Sequence, residues 1–284
     1  MRSFLLCLLI LIFPAAAHAA IVQQTMRPGI PANAEYLIGE RSKPAVLLLH
    51  GFLQTREFST VTTLARGLQD AGYTVLSPTL SLNIPNRRQT LACEAAHKHS
   101  MDDDVAEIRR WVDWLKSHGH RSIVLMGHSF GSLQLLAYLS DRPDPAVKAY
   151  IGASLIEAQI GNASRPALIA RLETLIQNKQ DALVIQSLSF CRTYPSTPEG
   201  LLSYVRWDQP RLLTVLKKVP VRVLLIMGDA DNMLGQGWLK ALQHIGIPMV
   251  IVHGGNHFMD GEHEFDLLDH TIDFLSRIPE RPPR

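Results

Sequence analysis

The sequence predicts an α/β protein with a mostly parallel central sheet and helices on both of its faces. Short apolar runs that suit β-strands alternate along the chain with amphipathic stretches that suit helices, and this alternation is typical of a parallel sheet covered on both faces. An apolar fraction of 46% with 19% charged residues describes a globular protein with a substantial core. The 284 residues are enough for one large domain, or for one domain that carries an insertion.

The apolar runs that we expect to form the sheet are short, as buried strands are. They lie at 45–49, 74–76, 122–126, 147–151, 223–227 and 248–252. Helices are expected at 60–71, from 101 to just before Gly119, at 130–140, at 238–244, and over a last stretch that carries Phe265, Leu268, Ile272 and Leu275. The helix at Met101 is the clearest, because Ser100 suits an N-cap and Asp102 to Asp104 place acids in the first turn.

The stretch at about 156–216 interrupts this alternation. Its apolar spacing predicts helices near 168–176 and 201–205, and no run there predicts a strand convincingly. We therefore expect a mainly helical insertion between two strands of the sheet.

The first 19 residues have the composition of a secretory signal peptide. Arg2 gives a short positive start, an apolar run extends from 4 to 13, and small residues end in Ala17-His18-Ala19. The apolar run is short for a bilayer span, which needs about 20 residues, and no later segment is apolar enough to cross a membrane. Cleavage after Ala19 would leave a domain of residues 20–284 in the periplasm or outside the cell.

Two cysteines of the mature chain are expected to form a disulfide. Removal of the signal peptide would take away Cys7 and leave Cys93 and Cys191. Both lie in stretches predicted to be loop or insertion, and disulfides form in the oxidising compartments that exported proteins reach. Spacing alone leaves open the alternative of two unlinked thiols.

The polar residues argue against two kinds of partner. The formal net charge is +2, and no cluster of lysines and arginines resembles a nucleic-acid-binding surface. His97 and His99 alternate in a polar loop, but no second cluster of ligand-type residues accompanies them, so we expect no metal there. The sequence predicts no particular oligomeric state.

The strongest candidate for a reactive residue is Ser129, within Gly127-His128-Ser129-Phe130-Gly131. This G-x-S-x-G pattern follows an apolar strand directly and opens a helix, as a nucleophile elbow does. Such a turn lifts the hydroxyl clear of the sheet, and the two glycines leave room for strand and helix to pack. The alternative is an ordinary strand-to-helix turn with an incidental serine, because the five-residue pattern alone recurs by chance.

A serine hydroxyl needs a base to remove its proton, and the base needs an acid to orient it. His257 follows the last predicted strand, in Gly254-Gly-Asn-His-Phe258, and loops after parallel strands meet at one edge of the sheet. Asp229 and Asp231 follow the preceding strand. We favour Asp231 because it lies further into the loop, and we expect Asp229 to make a turn or a cap.

Two backbone amides are candidates for an oxyanion hole, which stabilises the negative charge of a tetrahedral intermediate. The amide of Phe130, directly after the serine, is the first expected donor. The second is the amide of Phe52 in His50-Gly51-Phe52-Leu53, the loop after the first strong strand, where Gly51 allows a close turn. We expect His50 to position this loop rather than to act as a second base.

Together these pieces resemble the α/β-hydrolase superfamily, in its esterase and lipase-like branch. They extend over residues 45–260 in the chain order Ser, Asp, His. The resemblance implies the α/β-hydrolase fold, a Ser129–His257–Asp231 triad, an acyl-enzyme, a small-molecule ester or acyl substrate, and neither cofactor nor metal. Such proteins commonly carry a lid over the active site at the position of this insertion. Phe190, Tyr194 and Trp207 could then line the substrate pocket, but we favour the alternative that they form the core of the insertion. The loop reads His-Gly-Phe and not His-Gly-Gly-Gly, so the lipase and esterase branch with that loop is not supported.

The reaction stays open within this interpretation, because one nucleophile can serve several acyl transfers. We expect cleavage of an ester or thioester, with amide or peptide cleavage and transfer to an alcohol as alternatives. A dehalogenase would carry a carboxylate where Ser129 stands. A non-catalytic envelope binding protein that reuses the fold is a further alternative, but it would have no reason to keep the serine, the aspartate and the histidine in order.

Overall fold

The structure is a computed structural model that describes residues 19–141 and 143–278. Its strands are β1 (Ala19–Arg27), β2 (Ile30–Leu37), β3 (Ala45–Leu49), β4 (Thr74–Thr79), β5 (Ile123–His128), β6 (Val147–Ala153), β7 (Val184–Leu188), β8 (Cys191–Ser196), β9 (Arg222–Gly228) and β10 (Met249–Val252). Its helices are α1 (Ser59–Asp70), α2 (Met101–Ser117), α3 (Phe130–Leu139), α4 (Arg165–Gln177), α5 (Pro198–Val205), α6 (Gln209–Leu216), α7 (Trp238–His244) and α8 (His263–Ser276). The predicted signal peptide lies outside the described residues, except for Ala19.

The main sheet has the strand order β1-β2-β4-β3-β5-β6-β9-β10 in the described part of the chain. The strands from β4 to β10 in that order run parallel to one another, whereas β2 is antiparallel to both β1 and β4. The prediction of a mostly parallel sheet is confirmed, and each of the predicted strands is part of it.

Helices cover both faces of this sheet, as predicted. On one face α1 and α8 bury their apolar sides against alternate residues of the central strands, with Val61, Leu64, Leu68, Leu267 and Leu275 in this core. On the other face α2 and α3 do the same with Ile108, Trp111, Val112, Leu133 and Leu136. Burial of each leucine or isoleucine side chain of this kind stabilises the fold by about 1.5–3 kcal/mol.

Helix α2 begins where the sequence predicts. The hydroxyl of Ser100 accepts a hydrogen bond from the backbone N–H of Asp103, and the Asp103 carboxylate accepts one from the backbone N–H of Ser100. This capping box satisfies two backbone donors that the first turn would otherwise leave without partners.

The hairpin β1–β2 at the edge of the sheet was not predicted. Its first strand buries only Met26 fully and carries exposed or half-exposed polar residues such as Gln23 and Gln24. An edge strand with so little apolar alternation gives no period-two signal. Pairing of β2 with β4 attaches this hairpin to the sheet.

The insertion between β6 and β9 contains α4, α5 and α6, but it also contains the antiparallel hairpin β7–β8. The expectation that no strand occurs at 156–216 is therefore wrong. Strand β7 reads Val-Ile-Gln-Ser-Leu, and only its first and last residues are buried. Contacts with distant parts of the chain stabilise this hairpin, and local periodicity does not reveal them.

One of these contacts is the disulfide between Cys93 and Cys191, whose Cα atoms are 5.3 Å apart. It joins the loop between β4 and α2 to the first residue of β8, across 98 positions of sequence. The expected pairing is thus present in the structure. Within residues 19–141 and 143–278, no helix is both long enough and apolar enough to span a bilayer.

Candidate active site

The carboxyl ends of the parallel strands bring four loops to one edge of the sheet. The loop of His50 follows β3, Ser129 follows β5, the loop of Asp231 follows β9, and the loop of His257 follows β10. Strand ends on the same side of a parallel sheet open into one crevice. The topology therefore gathers the predicted site residues, although the serine and the histidine are 128 positions apart.

Ser129 occupies a strained turn between β5 and α3, with φ +57° and ψ −125°. A residue other than glycine rarely adopts these backbone angles, and such strain persists only where the surrounding structure enforces it. The flanking glycines are needed for close approach: a Cβ on Gly127 would lie 2.5 Å from the backbone nitrogen of Ser132, and one on Gly131 would collide with the carbonyl of His50. The G-x-S-x-G pattern thus corresponds to a physical elbow.

Ser129, His257 and Asp231 form a continuous hydrogen-bonded relay. The Oγ of Ser129 lies 2.7 Å from Nε2 of His257, and Nδ1 of His257 lies 2.7 Å from Oδ2 of Asp231. The carboxylate can only accept, so Nδ1 carries the proton and Nε2 is the acceptor for the serine hydroxyl. The side chains of His257 and Asp231 are almost completely shielded from solvent, and Ser129 is itself a buried residue. The relay is thus largely shielded from bulk water.

The two aspartates of the β9 loop have different partners. Asp231 faces His257, and its other oxygen accepts a hydrogen bond of 2.9 Å from the backbone N–H of Met233. Asp229 instead accepts from the ring of His253 and from the backbone N–H of Gly254, both at 2.7 Å. The histidine bond lowers the pKa of Asp229 most. The structure therefore brings Asp231, and not Asp229, into the relay.

The loop at 50–54, which we call the oxyanion loop, is held by the ring of His50. Nδ1 of this buried ring donates to the carbonyl of Gly51 over 2.8 Å, and Nε2 accepts from the backbone N–H of Leu80 over 3.1 Å. Burial, with a smaller effect of the Arg87 charge, lowers the pKa of His50 to about 3. The ring is therefore neutral and positions the loop, as expected.

The two candidate oxyanion residues lie side by side, because the rings of Phe52 and Phe130 have centroids 4.6 Å apart. Phe130 is the first residue of α3, so its backbone N–H has no acceptor within the helix. Among the described hydrogen bonds neither amide donates to another group of the protein. Both amides are thus available to an external acceptor.

His128 is a residue of the site that sequence analysis did not single out. Its Nε2 donates to the backbone carbonyl of His257 over 2.8 Å, and its ring stacks on Phe58. Burial, together with the nearby charge of His257, lowers the pKa of His128 to about 4, so the ring stays neutral. Its position inside the G-x-S-x-G pattern was the only available signal, because the contact is 129 positions away in sequence.

An aromatic wall formed by Phe52, Phe130, Phe190 and Tyr194 leads from the oxyanion loop to the surface. Phe190, at the turn of the β7–β8 hairpin, packs edge-to-face on Phe52 with centroids 5.6 Å apart, and 51% of it is exposed. Tyr194 of β8 contacts the same ring of Phe52 at 5.5 Å. The insertion thus reaches the residue that carries a candidate oxyanion donor.

His97 and His99 are buried beside the insertion. The ring of His97 stacks on Tyr194 at 4.0 Å, and Nδ1 of His99 lies 2.7 Å from the hydroxyl of Tyr204. Burial lowers the pKa of His99 to about 3. In the described residues no group of three or more His, Cys, Asp or Glu side chains is arranged to hold a metal ion. Through their contacts with Tyr194 and Tyr204, the two histidines connect the loop before α2 to the insertion.

A mostly parallel sheet with helices on both faces, whose central strand ends at a strained serine facing histidine and aspartate, defines the class of α/β hydrolases. The model of the alpha/beta hydrolase family matches residues 46–268. The chain belongs to this family. The comparison with curated proteins gives no match to the chain.

Solved structures share the fold at low sequence identity. The α/β hydrolase GrgF from Penicillium sp. sh18 is 16% identical, with 92% of this chain and 99% of that chain covered and a TM-score of 0.70. Est1E from Butyrivibrio proteoclasticus is 20% identical, with coverages of 91% and 97% and a TM-score of 0.62. The monoacylglycerol lipase of Paleococcus ferrophilus is 17% identical, with coverages of 86% and 98% and a TM-score of 0.64.

Proposed function

We propose that this hydrolase cleaves an ester or thioester bond of a small molecule through an acyl-enzyme on Ser129. The observation that carries this proposal is the relay from Ser129 through His257 to Asp231, with 2.7 Å at each step. Catalytic hydrogen bonds of a nucleophile and its base fall at about 2.6–3.2 Å. A serine that had a purely structural role would need neither this geometry nor the strained turn.

In the first half-reaction Ser129 Oγ attacks the acyl carbon while its proton passes to Nε2 of His257. Asp231 then faces an imidazolium and stabilises its positive charge without taking the proton. The imidazolium returns that proton to the leaving oxygen or sulfur as the tetrahedral intermediate collapses. An alcohol or thiol departs, and the acyl group remains on Ser129.

In the second half-reaction a water molecule attacks the acyl carbon, and His257 removes its proton. Collapse of the second tetrahedral intermediate returns the proton to Ser129 Oγ and releases the acid. In both intermediates the former carbonyl oxygen is negative, and the amides of Phe52 and Phe130 are the donors that we assign to it. Loss of one such donor costs about 2.7–4 kcal/mol of transition-state stabilisation.

The preference for esters is supported by the proteins that share the fold. Est1E is described with bound ferulic acid, another similar structure is the esterase domain of a Rhodothermus marinus protein, and a third is a monoacylglycerol lipase. Cleavage of an ester or thioester also needs less help from the relay than cleavage of an amide, because an alkoxide and a thiolate are both better leaving groups than an amide anion. Amide cleavage and acyl transfer to an alcohol remain outcomes that substrate assays distinguish.

We further propose that the enzyme acts outside the cytoplasm, in the periplasm or as a secreted protein. The composition of the first 19 residues and the Cys93–Cys191 disulfide support this location. N-terminal sequencing of the enzyme recovered from the periplasmic fraction is expected to begin at Ala20. A chain that begins at Met1 in the cytoplasmic fraction would contradict it.

Labelling with a fluorophosphonate tests the reactive serine directly, because the probe phosphonylates only an activated hydroxyl. We expect the wild type and Ser140→Ala to label and Ser129→Ala to remain unlabelled. Ser140 is the matched control, since it lies at the opposite end of α3 from Ser129. Folded wild type that does not label, or label that persists in Ser129→Ala, would exclude the proposed mechanism.

A further inference from the structure

Arg87, a buried residue outside the relay, donates hydrogen bonds to the backbone of the oxyanion loop. It lies in the loop between β4 and α2 and is 4% exposed. Its guanidinium donates to four backbone carbonyls, those of Leu80 (2.8 Å), Leu53 (3.2 Å), Gln89 (2.8 Å) and Gln54 (2.7 Å). Two of these carbonyls belong to the oxyanion loop.

Those carbonyls solvate the guanidinium in place of water. Arg87 makes no ion pair within the described residues, although the charges of Asp104 and Glu107 partly oppose the effect of burial on its pKa. Burial lowers the pKa of Arg87 to about 10, so the side chain is protonated at neutral pH. A buried cation needs its partners in place, and the loop therefore keeps the shape that presents its carbonyls.

The same loop shape fixes the direction of the Phe52 amide. The carbonyl of Gly51 accepts from Nδ1 of His50 at 2.8 Å and from the backbone N–H of Gln54 at 3.2 Å. In a trans peptide the N–H points away from the carbonyl of the same unit, so these two bonds aim the Phe52 N–H at the opposite side. Donation to the carbonyl also polarises the peptide and strengthens its N–H as a donor.

Arg87 contacts both residues that donate to the Gly51 carbonyl, at other atoms of each. Its Nη2 donates to the carbonyl of Gln54 and lies 3.5 Å from Nε2 of His50. Its Nη1 donates to the carbonyl of Leu53, a residue with φ +58°. A leucine in that left-handed region is strained and needs such support.

We propose that Arg87 is a positioning residue for catalysis: its guanidinium holds the oxyanion loop so that the Phe52 amide faces the reacting oxygen. This inference rests on the proposed function of Ser129. The planar guanidinium directs several donors at fixed angles, whereas a lysine ammonium is a point charge on a flexible stem. Lysine is therefore expected to keep the charge and to lose the geometry.

The test compares Arg87→Met and Arg87→Lys with the control Arg165→Met. Arg165 suits this purpose because its guanidinium also donates to two backbone carbonyls, those of Ala158 and Val205, within the insertion. For each variant we would measure kcat and KM on 4-nitrophenyl acetate, the rate of fluorophosphonate labelling and the thermal unfolding midpoint. The same preparations would be followed by amide hydrogen exchange of peptides covering residues 50–58.

For Arg87→Met we expect kcat to fall about tenfold or more with KM within about twofold, because outright loss of an oxyanion donor costs about 10²–10³ in kcat. Arg87→Lys should also lose most of kcat, whereas Arg165→Met should keep it. Amide exchange at 50–58 should accelerate in both Arg87 variants and not in the control. If Arg87→Met does not fold, Arg87→Lys carries the comparison.

Wild-type kcat in Arg87→Lys, or an equal loss of kcat in Arg165→Met, would overturn the positioning role. Unchanged exchange at 50–58 in the Arg87 variants would overturn it as well, even in a protein that shows no esterase activity. Absence of labelling in the wild type is a different result, since it counts against the proposed function of Ser129. The two failures are therefore distinguishable.

Discussion

Nε2 of His128 donates a hydrogen bond to the backbone carbonyl of His257 over 2.8 Å, so the residue before Ser129 holds the loop of His257. His128 is fully buried and neutral, with a pKa lowered to about 4 mainly by burial. The elbow therefore positions both partners of the proposed proton transfer, the hydroxyl through its backbone turn and the imidazole through this bond.

We expect His128→Ala to lower kcat about tenfold, the equivalent of one net hydrogen bond of about 1–1.5 kcal/mol. His128→Gln should retain most of the activity, because the glutamine amide can place a donor near the position of Nε2. Steady-state kinetics on a short-chain ester would measure both variants. Equal kcat in wild type and alanine variant would show that the bond does not position His257.

The two aspartates after β9 make a matched pair of variants. Asp231→Asn should lower kcat by about 10⁴, by analogy with the same change in a serine protease, because the amide favours the wrong imidazole tautomer. Asp229→Asn should change kcat less than about twofold, since Asp229 bonds His253 and Gly254 instead. Labelling rates with the fluorophosphonate would provide a second readout. The opposite ranking of the two variants would assign the acid to Asp229.

Phe190 should influence which acyl groups the enzyme accepts, because its half-exposed ring extends the aromatic wall from Phe52 to the surface. Phe190→Ala is expected to lower kcat/KM for a benzoyl ester relative to an acetyl ester about two- to tenfold, since a ring contact contributes about 0.5–1.5 kcal/mol. Ile185→Ala is the control, because Ile185 is 67% exposed on the same hairpin. If Phe190→Ala leaves the ratio of kcat/KM for the benzoyl ester to that for the acetyl ester unchanged, the ring of Phe190 does not line the substrate pocket.

The buried carboxyl of Asp104 should make the protein less stable as the pH rises. Burial raises the pKa of Asp104 from 3.8 to about 8, although Tyr204 and Gln134 donate to its carboxyl. Between these values the folded protein holds a proton that the unfolded chain releases, so the free energy of unfolding falls as the pH rises. The slope contributed by this one group is at most about 1.4 kcal/mol per pH unit.

Asp104→Asn removes this titration and keeps an oxygen for both donors. The free energy of unfolding of the variant should therefore increase relative to that of the wild type as the pH rises from about 4 to about 8. Above pH 8 the difference should stay constant. Urea unfolding at several pH values would measure the difference. A difference that is constant across this range would mean that Asp104 is ionised in the folded protein.

The sequence predicted the parallel strands and the main helices well, because buried strands and amphipathic helices such as α2 carry their periodicity locally. It did not predict β1–β2 or β7–β8, because β1 and β7 have weak apolar alternation. Pairing with β4 attaches the first hairpin to the sheet, and the Cys93–Cys191 bond joins the second to the loop before α2. Ser129, His257 and Asp231 were placed together by topology, whereas the catalytic roles assigned to them remain predictions.

The supporting residues escaped sequence analysis for a different reason. Arg87 and His128 act on backbone carbonyls, and any residue can present a carbonyl. No pattern of side chains therefore marks the partners of Arg87 in the oxyanion loop or the partner of His128 beside the base. Only the folded arrangement identifies such contacts.

The 128 positions between Ser129 and His257 also order events during biosynthesis. A ribosome that has completed β5 and the start of α3 has made Ser129, but it reaches His257 only after strands β6 to β10 have been made. Contacts of such high sequence separation form late, because they await closure of a long loop. Ser129 and His257 can therefore come together only after β10 has been made and has paired with β9.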